Sequence, residues 1–362
     1  MHRVLVAMSG GVDSSTAALI LKEQGFDCVG CTMKLFGNDL LPETREKSCC
    51  SLDDTEDARS AAYHLGMPHY VFNLSDTFSE RVVRPFIESY CNGQTPNPCI
   101  DCNRYLKFEK LYERARALHC DGIATGHYAR ITFDGAKYHL RKALDLSKDQ
   151  SYVLYSLTQE QLSRTLFPLG SLTKQQVRQV AEAHGFRNAQ KPDSQDICFV
   201  PDGDYAAFIE RNTDRMFPEG SFISQDGSVL GRHKGIIHYT VGQRRGLGVS
   251  AKSRLYVSNI DADQNTVTLT DKSGLYIDTV LIGGVNIVSG ESLQKEARVN
   301  VRMRYRQPER PATAVPCGDR IILHFDDRQP VPAPGQAAVL YVGDEVIGGG
   351  TILGSEKGRS GI

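Results

Sequence analysis

The stretch Arg3-Val4-Leu5-Val6-Ala7-Met8-Ser9-Gly10-Gly11-Val12-Asp13-Ser14 decides the fold. Its apolar residues 3–8 read as a buried strand, and residues 14–24 read as a helix stopped by Gly25. Between them, two glycines let the backbone curl so that successive N–H groups point into one concavity. The helix N-terminus adds partial positive charge there, and Ser9 and Ser14 add hydroxyls. Such a loop suits a polyphosphate, with Asp13 placed to hold Mg²⁺ or to position the phosphates. A Gly-Gly turn with a serine cap is common by itself, but strand, loop and helix in this order at the start of an α/β pattern favour phosphate. It is not a Walker loop, because no Gly-Lys-Ser/Thr follows.

Working outward, strand patterns at 26–33, 69–72 and 122–125 alternate with helix patterns at 53–65 and 103–119. In the latter, Phe108, Leu111, Ala115 and Leu118 recur at helical spacing. Thr173 with Gln176 forms a capping-box start for a helix through His184 that stops at Gly185. Alternating strands and helices imply a mostly parallel sheet. After about Pro201 the texture changes. Segments 255–260, 266–270, 299–305, 321–325 and 337–342 alternate on a period of two between Gly, Asn and Pro-rich turns, which predicts antiparallel β structure and small barrels. The expected organisation is an α/β domain over 1–200, a central β-rich domain over 201–280 and a β-barrel over 281–362, with a seam at 278–284.

The chain has 362 residues, enough for two or three domains. Lys and Arg number 42 against 43 Asp and Glu, a net charge of −1 that excludes a globally polybasic protein but not local basic surfaces. No apolar run approaches the roughly 18 residues of a membrane span, and the start lacks the pattern of a secretory signal. The expectation is a soluble, cytoplasmic protein without membrane association.

Ten cysteines fall mostly in the first 200 residues. In a reduced compartment the pair Cys99/Cys102 reads as catalytic or metal-binding. It lies in Gly93-Gln94-Thr95-Pro96-Asn97-Pro98-Cys99-Ile100-Asp101-Cys102-Asn103, which opens the 103–119 helix. A thiol at a helix N-terminus has its thiolate stabilised, so Cys102 has the setting of a nucleophile. Cys198 lies in the polar stretch Asp193-Ser194-Gln195-Asp196-Ile197-Cys198-Phe199. Cys28, Cys31, Cys91, Cys120 and Cys317 read as small buried hydrophobes.

The loop Ser9–Ser14 resembles the pyrophosphatase loop of the ATP pyrophosphatases, whose parallel-sheet fold is of the adenine nucleotide alpha hydrolase type. These split ATP to AMP and pyrophosphate by adenylating a carbonyl or carboxylate oxygen. Further phrases resemble one family, the tRNA-specific 2-thiouridylases. They are Thr95–Asn103, Gly126-His127-Tyr128, Lys148-Asp149-Gln150-Ser151-Tyr152, Asp193–Cys198, Tyr239–Gly246 and Arg302–Arg306. The resemblance implies adenylation of the C2 oxygen of the wobble uridine in tRNA, then replacement of that oxygen by persulfide sulfur from a cysteine desulfurase relay. It implies that Cys198 holds the persulfide and Cys102 is the nucleophilic partner in a transient disulfide. Ala7, Met8, Ser9, Gly10, Gly11, Val12, Asp13, Ser14, Met33 and Gly126 would line the ATP site. His127, Lys148, Asp149, Gln150, Arg304, Tyr305 and Gln336 would contact the anticodon region of tRNA, with the protein acting as a monomer.

Where many members of that family carry an Asp proposed as general acid/base, this chain has Cys99; the role is then vacant, or falls to Asp101 or a water. If Cys198 approaches the pair, Cys99, Cys102 and Cys198 would make a three-thiolate site suited to a [4Fe–4S] cluster. The competing reading makes Cys99 a resolving or inert thiol. Cys49-Cys50 is either a redox or sulfur-handling pair or two ordinary small residues. Arg232, Lys234, Arg244, Arg245, Lys252 and Arg254 form one basic cluster, and Arg298, Arg302, Arg304, Arg306 and Arg310 a second. In the second, Arg302, Arg304 and Arg306 would share one strand face, and Tyr239 or Tyr305 could stack on a base. A small-molecule ligase would leave the two cysteines and basic clusters without work. An RNA-binding zinc protein would need cysteine partners that the sequence lacks nearby.

Overall fold

Five parallel strands carry the first part of the chain: Arg3–Ala7, Asp27–Lys34, His69–Asn73, Gly122–Ala124 and Thr165–Leu166. The computed structural model describes residues 2–36, 52–191, 197–251 and 253–356. In it these strands lie side by side in the order third, second, first, fourth, fifth. Val4 is in register with both Cys28 and Gly122, so Arg3–Ala7 is the central strand at which the order reverses. Both its faces are covered, and Val4, Leu5 and Val6 are wholly buried, which is why it reads as an unbroken apolar run. Loops leaving the ends of the first and fourth strands diverge there and leave a crevice. The Ser9–Ser14 loop and the Thr125–His127 loop occupy its two sides.

The helix after the first strand spans Val12–Glu23, starting slightly before the expected residue 14. Leu52–His64 and Lys174–Ala183 form as expected, the latter with both halves of the Thr173/Gln176 capping box made. The helix that carries the cysteines differs. It begins at Pro98 rather than Asn103, because Asn97 caps it by accepting the Cys99 N–H on Oδ1 at 3.1 Å and Pro98 suits the first helical position. An α-helical turn at Pro98–Asp101 passes into a π-helical segment at Cys102–Lys110 and returns to α at Leu111–Ala117. The Leu111 N–H bonds the carbonyl of Leu106, five residues back. Cys102 is therefore beyond the first turn, which holds Cys99 instead.

The next sheet has the order Tyr256–Asp261, Thr266–Thr270, Gly220–Ile223, Val229–His233. It is open, and Thr266–Thr270 pairs in parallel with Gly220–Ile223. The purely antiparallel pattern expected there fails because the chain leaves the first hairpin at His233 and returns at Tyr256 on the far side, so Thr266–Thr270 runs alongside Gly220–Ile223. The last unit is a closed six-stranded antiparallel barrel: Tyr276–Ile287, Arg320–Pro330, Arg310–Cys317, Ala297–Arg302, Ala337–Val342 and Glu345–Glu356, which pairs back on Tyr276–Ile287. The seam expected at 278–284 is thus continuous strand. Its Gly283-Gly284 reads as a linker but marks an irregularity, with Gly284 at φ +58° and a register shift before Asn286. The connection between the two β units lies at the turn Lys272–Leu275.

Two apolar clusters weld these units to the parallel sheet. One joins Phe78, Phe86 and Tyr90 to Phe208, Phe222 and Tyr239 of the central part. The other joins Leu5, Val29 and Tyr152 to Val339, Tyr341 and Val346 of the barrel. A hairpin of Ala129–Phe133 and Tyr138–Lys142 extends the barrel sheet, with Arg141 in register with Glu345.

Candidate active site

The phosphate loop is held open from behind. Ser14 Oγ accepts the Ser9 N–H at 3.1 Å and donates to the Gly11 carbonyl at 3.1 Å, and Asn188 Nδ2 donates to the Gly10 carbonyl at 2.9 Å. Gly10 has φ +74°, and a Cβ there would stand 2.2 Å from the Asp54 carbonyl oxygen, so only glycine makes this turn. Gly11 caps the following helix and has no side chain to offer, leaving the first N–H groups aimed at the crevice. Gly126 approaches from the opposite side; a Cβ on it would lie 2.9 Å from the Ser14 nitrogen.

Between these loops lies a cavity of about 370 Å³. Of the residues expected to bind nucleotide, Ala7, Met8, Ser9, Asp13, Ser14, Met33 and Gly126 line it, while Gly10, Gly11 and Val12 form the turn behind. Cys99, Cys102 and Cys198 lie on its wall, so a cysteine pair and a third cysteine nearly 100 residues further along meet the phosphate loop in one chamber. Cys99 is exposed, and Cys102 and Cys198 are half-buried. By contrast, burial pushes Cys28 up to about 11 and raises Cys31 and Cys120, which keeps those thiols protonated and inert. Cys317, expected to be buried, is exposed near the end of a barrel strand.

A second cavity of about 560 Å³ adjoins the first and shares Cys99, Lys107, His127, Gln150 and Ile197 with it. Its far wall carries Thr240, Arg304, Tyr305, Arg306 and Gln336. Gln336 Nε2 donates to the Thr95 carbonyl at 2.7 Å, tying the barrel to the loop before Cys99. At the shared mouth His127 is buried, its Nδ1 2.7 Å from Thr125 Oγ1 and its Nε2 3.5 Å from Lys107 Nζ. Burial, aided by the Lys107 charge, holds its pKa well below the usual value, so it is neutral.

Several expected RNA contacts are placed otherwise. The Asp149 side chain is 1% exposed and its carboxylate accepts from Arg302 Nη1 at 3.1 Å, Ser151 Oγ at 2.9 Å and the Ala143 N–H at 3.1 Å. It is a buried clip between hairpin and barrel, out of reach of RNA. Arg302 also pairs with Glu309 at 2.9 Å, and Arg298 is held by Asp326, so neither belongs to a free basic face. The strand ends at Arg302, and Arg304 and Arg306 follow in a turn, so the period-two face expected for these three does not form. Tyr239 is buried and cannot stack on a base, whereas Tyr305 remains 37% exposed in the second cavity. Lys148 lines neither cavity. Asp101 does not line them either. Burial pushes its carboxyl up to about 6 against the opposing Arg104 charge.

Among the described residues no group of three or more His, Cys, Asp or Glu is placed to hold a metal ion. Cys99, Cys102 and Cys198, the three thiols expected of a [4Fe–4S] site, share one wall of the first cavity. Cys49, Cys50, the run Asp193–Asp196 and Lys252 lie outside the described residues. Sequence reasoning missed Lys107 and Lys174. Lys174 Nζ sits 2.7 Å from Asp13 Oδ1, and the only signal for it was its place at a capped helix start facing the loop.

Residues 2–202 match the family described as tRNA methyl transferase HUP domain, residues 206–271 its PRC-barrel domain, and residues 277–352 the aminomethyltransferase beta-barrel domain. The chain is 47% identical over 354 residues to a tRNA-specific 2-thiouridylase MnmA of Halothermothrix orenii, covering 97% of this chain and 99% of that protein. It is 48% identical over 355 residues to the protein of the same name from Acetivibrio thermocellus, again covering 97% and 99%. The chain belongs to the tRNA-specific 2-thiouridylase family. For a member of this family, the meeting of the phosphate loop with Cys102 and Cys198 in one chamber is the feature on which chemistry can be built.

Proposed function

We propose that the protein is an ATP-dependent tRNA-uridine 2-sulfurtransferase. The observation that carries the reading is the single chamber holding the phosphate loop, Cys102 and Cys198, opening into a second cavity walled by Arg304, Tyr305, Arg306 and Gln336. ATP enters against Ser9–Ser14, Met33 and Gly126. The wobble uridine of tRNA leaves its stack and enters from the arginine-lined side. Its O2 bonds to the α-phosphorus as the bond to the β-phosphate oxygen breaks and pyrophosphate leaves with the electron pair. The N3 proton passes to water. A urea-like oxygen is a poor leaving group, and as part of AMP it becomes a good one.

A persulfide on Cys198, loaded by a sulfur relay from a cysteine desulfurase, supplies the sulfur. Either its terminal sulfur adds to C2 and Cys102 then cleaves the S–S bond, or Cys102 first releases sulfide that adds to C2. In both routes AMP departs carrying the former O2, and a Cys102–Cys198 disulfide remains, to be reduced by an external dithiol. Asp13 is the one carboxylate on the nucleotide cavity among the described residues, and it is already paired with Lys174. Mg²⁺ would therefore be held by the nucleotide phosphates and water with Asp13 as the protein's donor, and it would neutralise phosphate charge when bound. Among the described residues no helix is long and apolar enough to cross a membrane. A cytoplasmic monomer acting on tRNA is consistent with that.

The test is mass analysis of nucleosides from tRNA incubated with the protein, ATP, Mg²⁺ and a persulfide donor. Formation of 2-thiouridine, with pyrophosphate release that requires tRNA, is expected; pyrophosphate release independent of tRNA and no thionucleoside would overturn the reading.

A further inference from the structure

Lys107 stands where the two cavities meet, lining both. Its presence there follows from the π-helical segment. In an α-helix five residues turn through about 500°, leaving residues 102 and 107 about 140° apart. Closing the hydrogen-bond ring at five residues through Cys102–Lys110 brings residues five apart toward one face, and Cys102 and Lys107 both reach the nucleotide chamber. Among the described residues no carboxylate pairs with Lys107; its polar neighbour is His127 Nε2 at 3.5 Å. An ammonium only donates, so Nε2 carries the lone pair and Nδ1–H donates to Thr125 Oγ1. The neutral imidazole orients the ammonium without neutralising it. A half-buried cation with no counter-anion among the described residues, at the junction of a phosphate chamber and an arginine-lined groove, is arranged to meet an anion brought by substrate.

We propose that Lys107 is a catalytic residue that binds a non-bridging oxygen of the nucleotide α-phosphate, at the point where that phosphorus is joined to the uridine O2. This rests on the thiolase reading, since it takes ATP from one cavity and the base from the other. The α-phosphorus is then the only reacting centre common to both, and it must sit at their shared mouth. As O2 bonds to phosphorus and the bond to the pyrophosphate oxygen breaks, negative charge builds on the α-phosphoryl oxygens, and Lys107 stabilises it. The same contact stabilises AMP when the C2–O2 bond later breaks and its electron pair leaves on the phosphate.

The experiment measures tRNA-dependent pyrophosphate release by the full-length wild type, Lys107→Met and Lys107→Arg, using ATP and the two diastereomers of adenosine 5′-O-(1-thiotriphosphate). Lys107→Met should lose about 10²-fold in kcat, with tRNA affinity within threefold of wild type, while Lys107→Arg keeps a larger share. The wild type should discriminate between the diastereomers, and that ratio should move toward one in Lys107→Met, which a merely structural defect would not produce. Should Lys107→Met fold poorly, the shift of the diastereomer ratio in Lys107→Arg decides. Undiminished kcat in Lys107→Met, or an unaltered ratio in the variants, overturns the proposal while the thiolase reading stands. Absence of tRNA-dependent release by the wild type removes that reading, and this proposal with it.

Discussion

Lys174 Nζ holds both carboxylate oxygens of Asp13, at 2.7 and 2.8 Å, while the Tyr128 hydroxyl donates to Asp13 Oδ1 at 2.7 Å. The carboxylate at the phosphate loop is thus neutralised before any nucleotide arrives. Lys174→Met should weaken ATP binding about tenfold, a difference of about 1.4 kcal/mol, because an uncompensated Asp13 then faces the phosphates. Titration calorimetry checks this, and Lys174→Met/Asp13→Asn should recover most of the affinity. Unchanged affinity in the single variant would show that Lys174 has no bearing on the nucleotide.

Cys102→Ser and Cys198→Ser should each abolish 2-thiouridine formation while tRNA-dependent pyrophosphate release continues, since a hydroxyl neither carries sulfane sulfur nor closes a disulfide. Cys28→Ser, far from the cavity wall, should thiolate normally once its stability is matched. A serine variant at 102 or 198 that thiolates at the wild-type rate from a persulfide donor removes that cysteine from the reaction.

The Arg302–Asp149 pair joins the loop that follows the hairpin to the barrel, with side chains 13% and 1% exposed. Arg302→Met strands a buried carboxylate and should lower unfolding stability by about 3 kcal/mol. Urea denaturation measures it, and Arg302→Met/Asp149→Asn should regain a large part.

Asp101 sets a pH dependence whose sign is opposite to that of a salt-bridged carboxylate. Its folded-state value is pushed up from 3.8 to about 6. Between those values the folded protein keeps a proton the unfolded chain has lost, so this group's contribution falls as pH rises from about 4 to about 6. Asp101→Asn should therefore stabilise the protein at pH 7.5, by about 2–3 kcal/mol at most. The gain should vanish near pH 4. Thiolation should be unaffected, because Asp101 faces neither cavity; a large loss of turnover would reinstate it as an acid or base.

Arg304→Ala and Arg306→Ala should weaken tRNA binding and each reduce the slope of log K against log salt by about one. Arg298→Ala should leave the slope alone, since Arg298 is bound by Asp326 at 2.8 Å. Filter binding at several salt concentrations separates the two cases.

Four of the five parallel strands and the phosphate loop were legible because local rules decide them: an apolar run covered on both faces, a glycine turn and a capping box. The order of the strands in the sheet was not. The residues that surround the site were also less legible. Arg302 and Arg304 look equivalent in a line of alternating arginines, yet one is sequestered by Asp149 from 153 residues away and the other reaches the groove. Asp149 sits among polar neighbours in sequence and is buried only because the barrel docks on it. Lys107 was hidden by the assumption of a constant helical period. A π-helical segment has no residue signature of its own, so nothing in Cys102–Lys110 announces it.

Closure of the barrel by Glu345–Glu356 against Tyr276–Ile287 also dictates when the enzyme can become complete. During synthesis the parallel sheet and its phosphate loop emerge first and can fold as a unit. Gln336 and the strand that seals the cylinder emerge only near the end. A nascent chain stopped before residue 345 would then carry a nucleotide chamber beside an unbraced second cavity, and an open sheet edge exposed to other chains. Ribosomal stalling in that interval is where quality control would meet this protein in its most adhesive form.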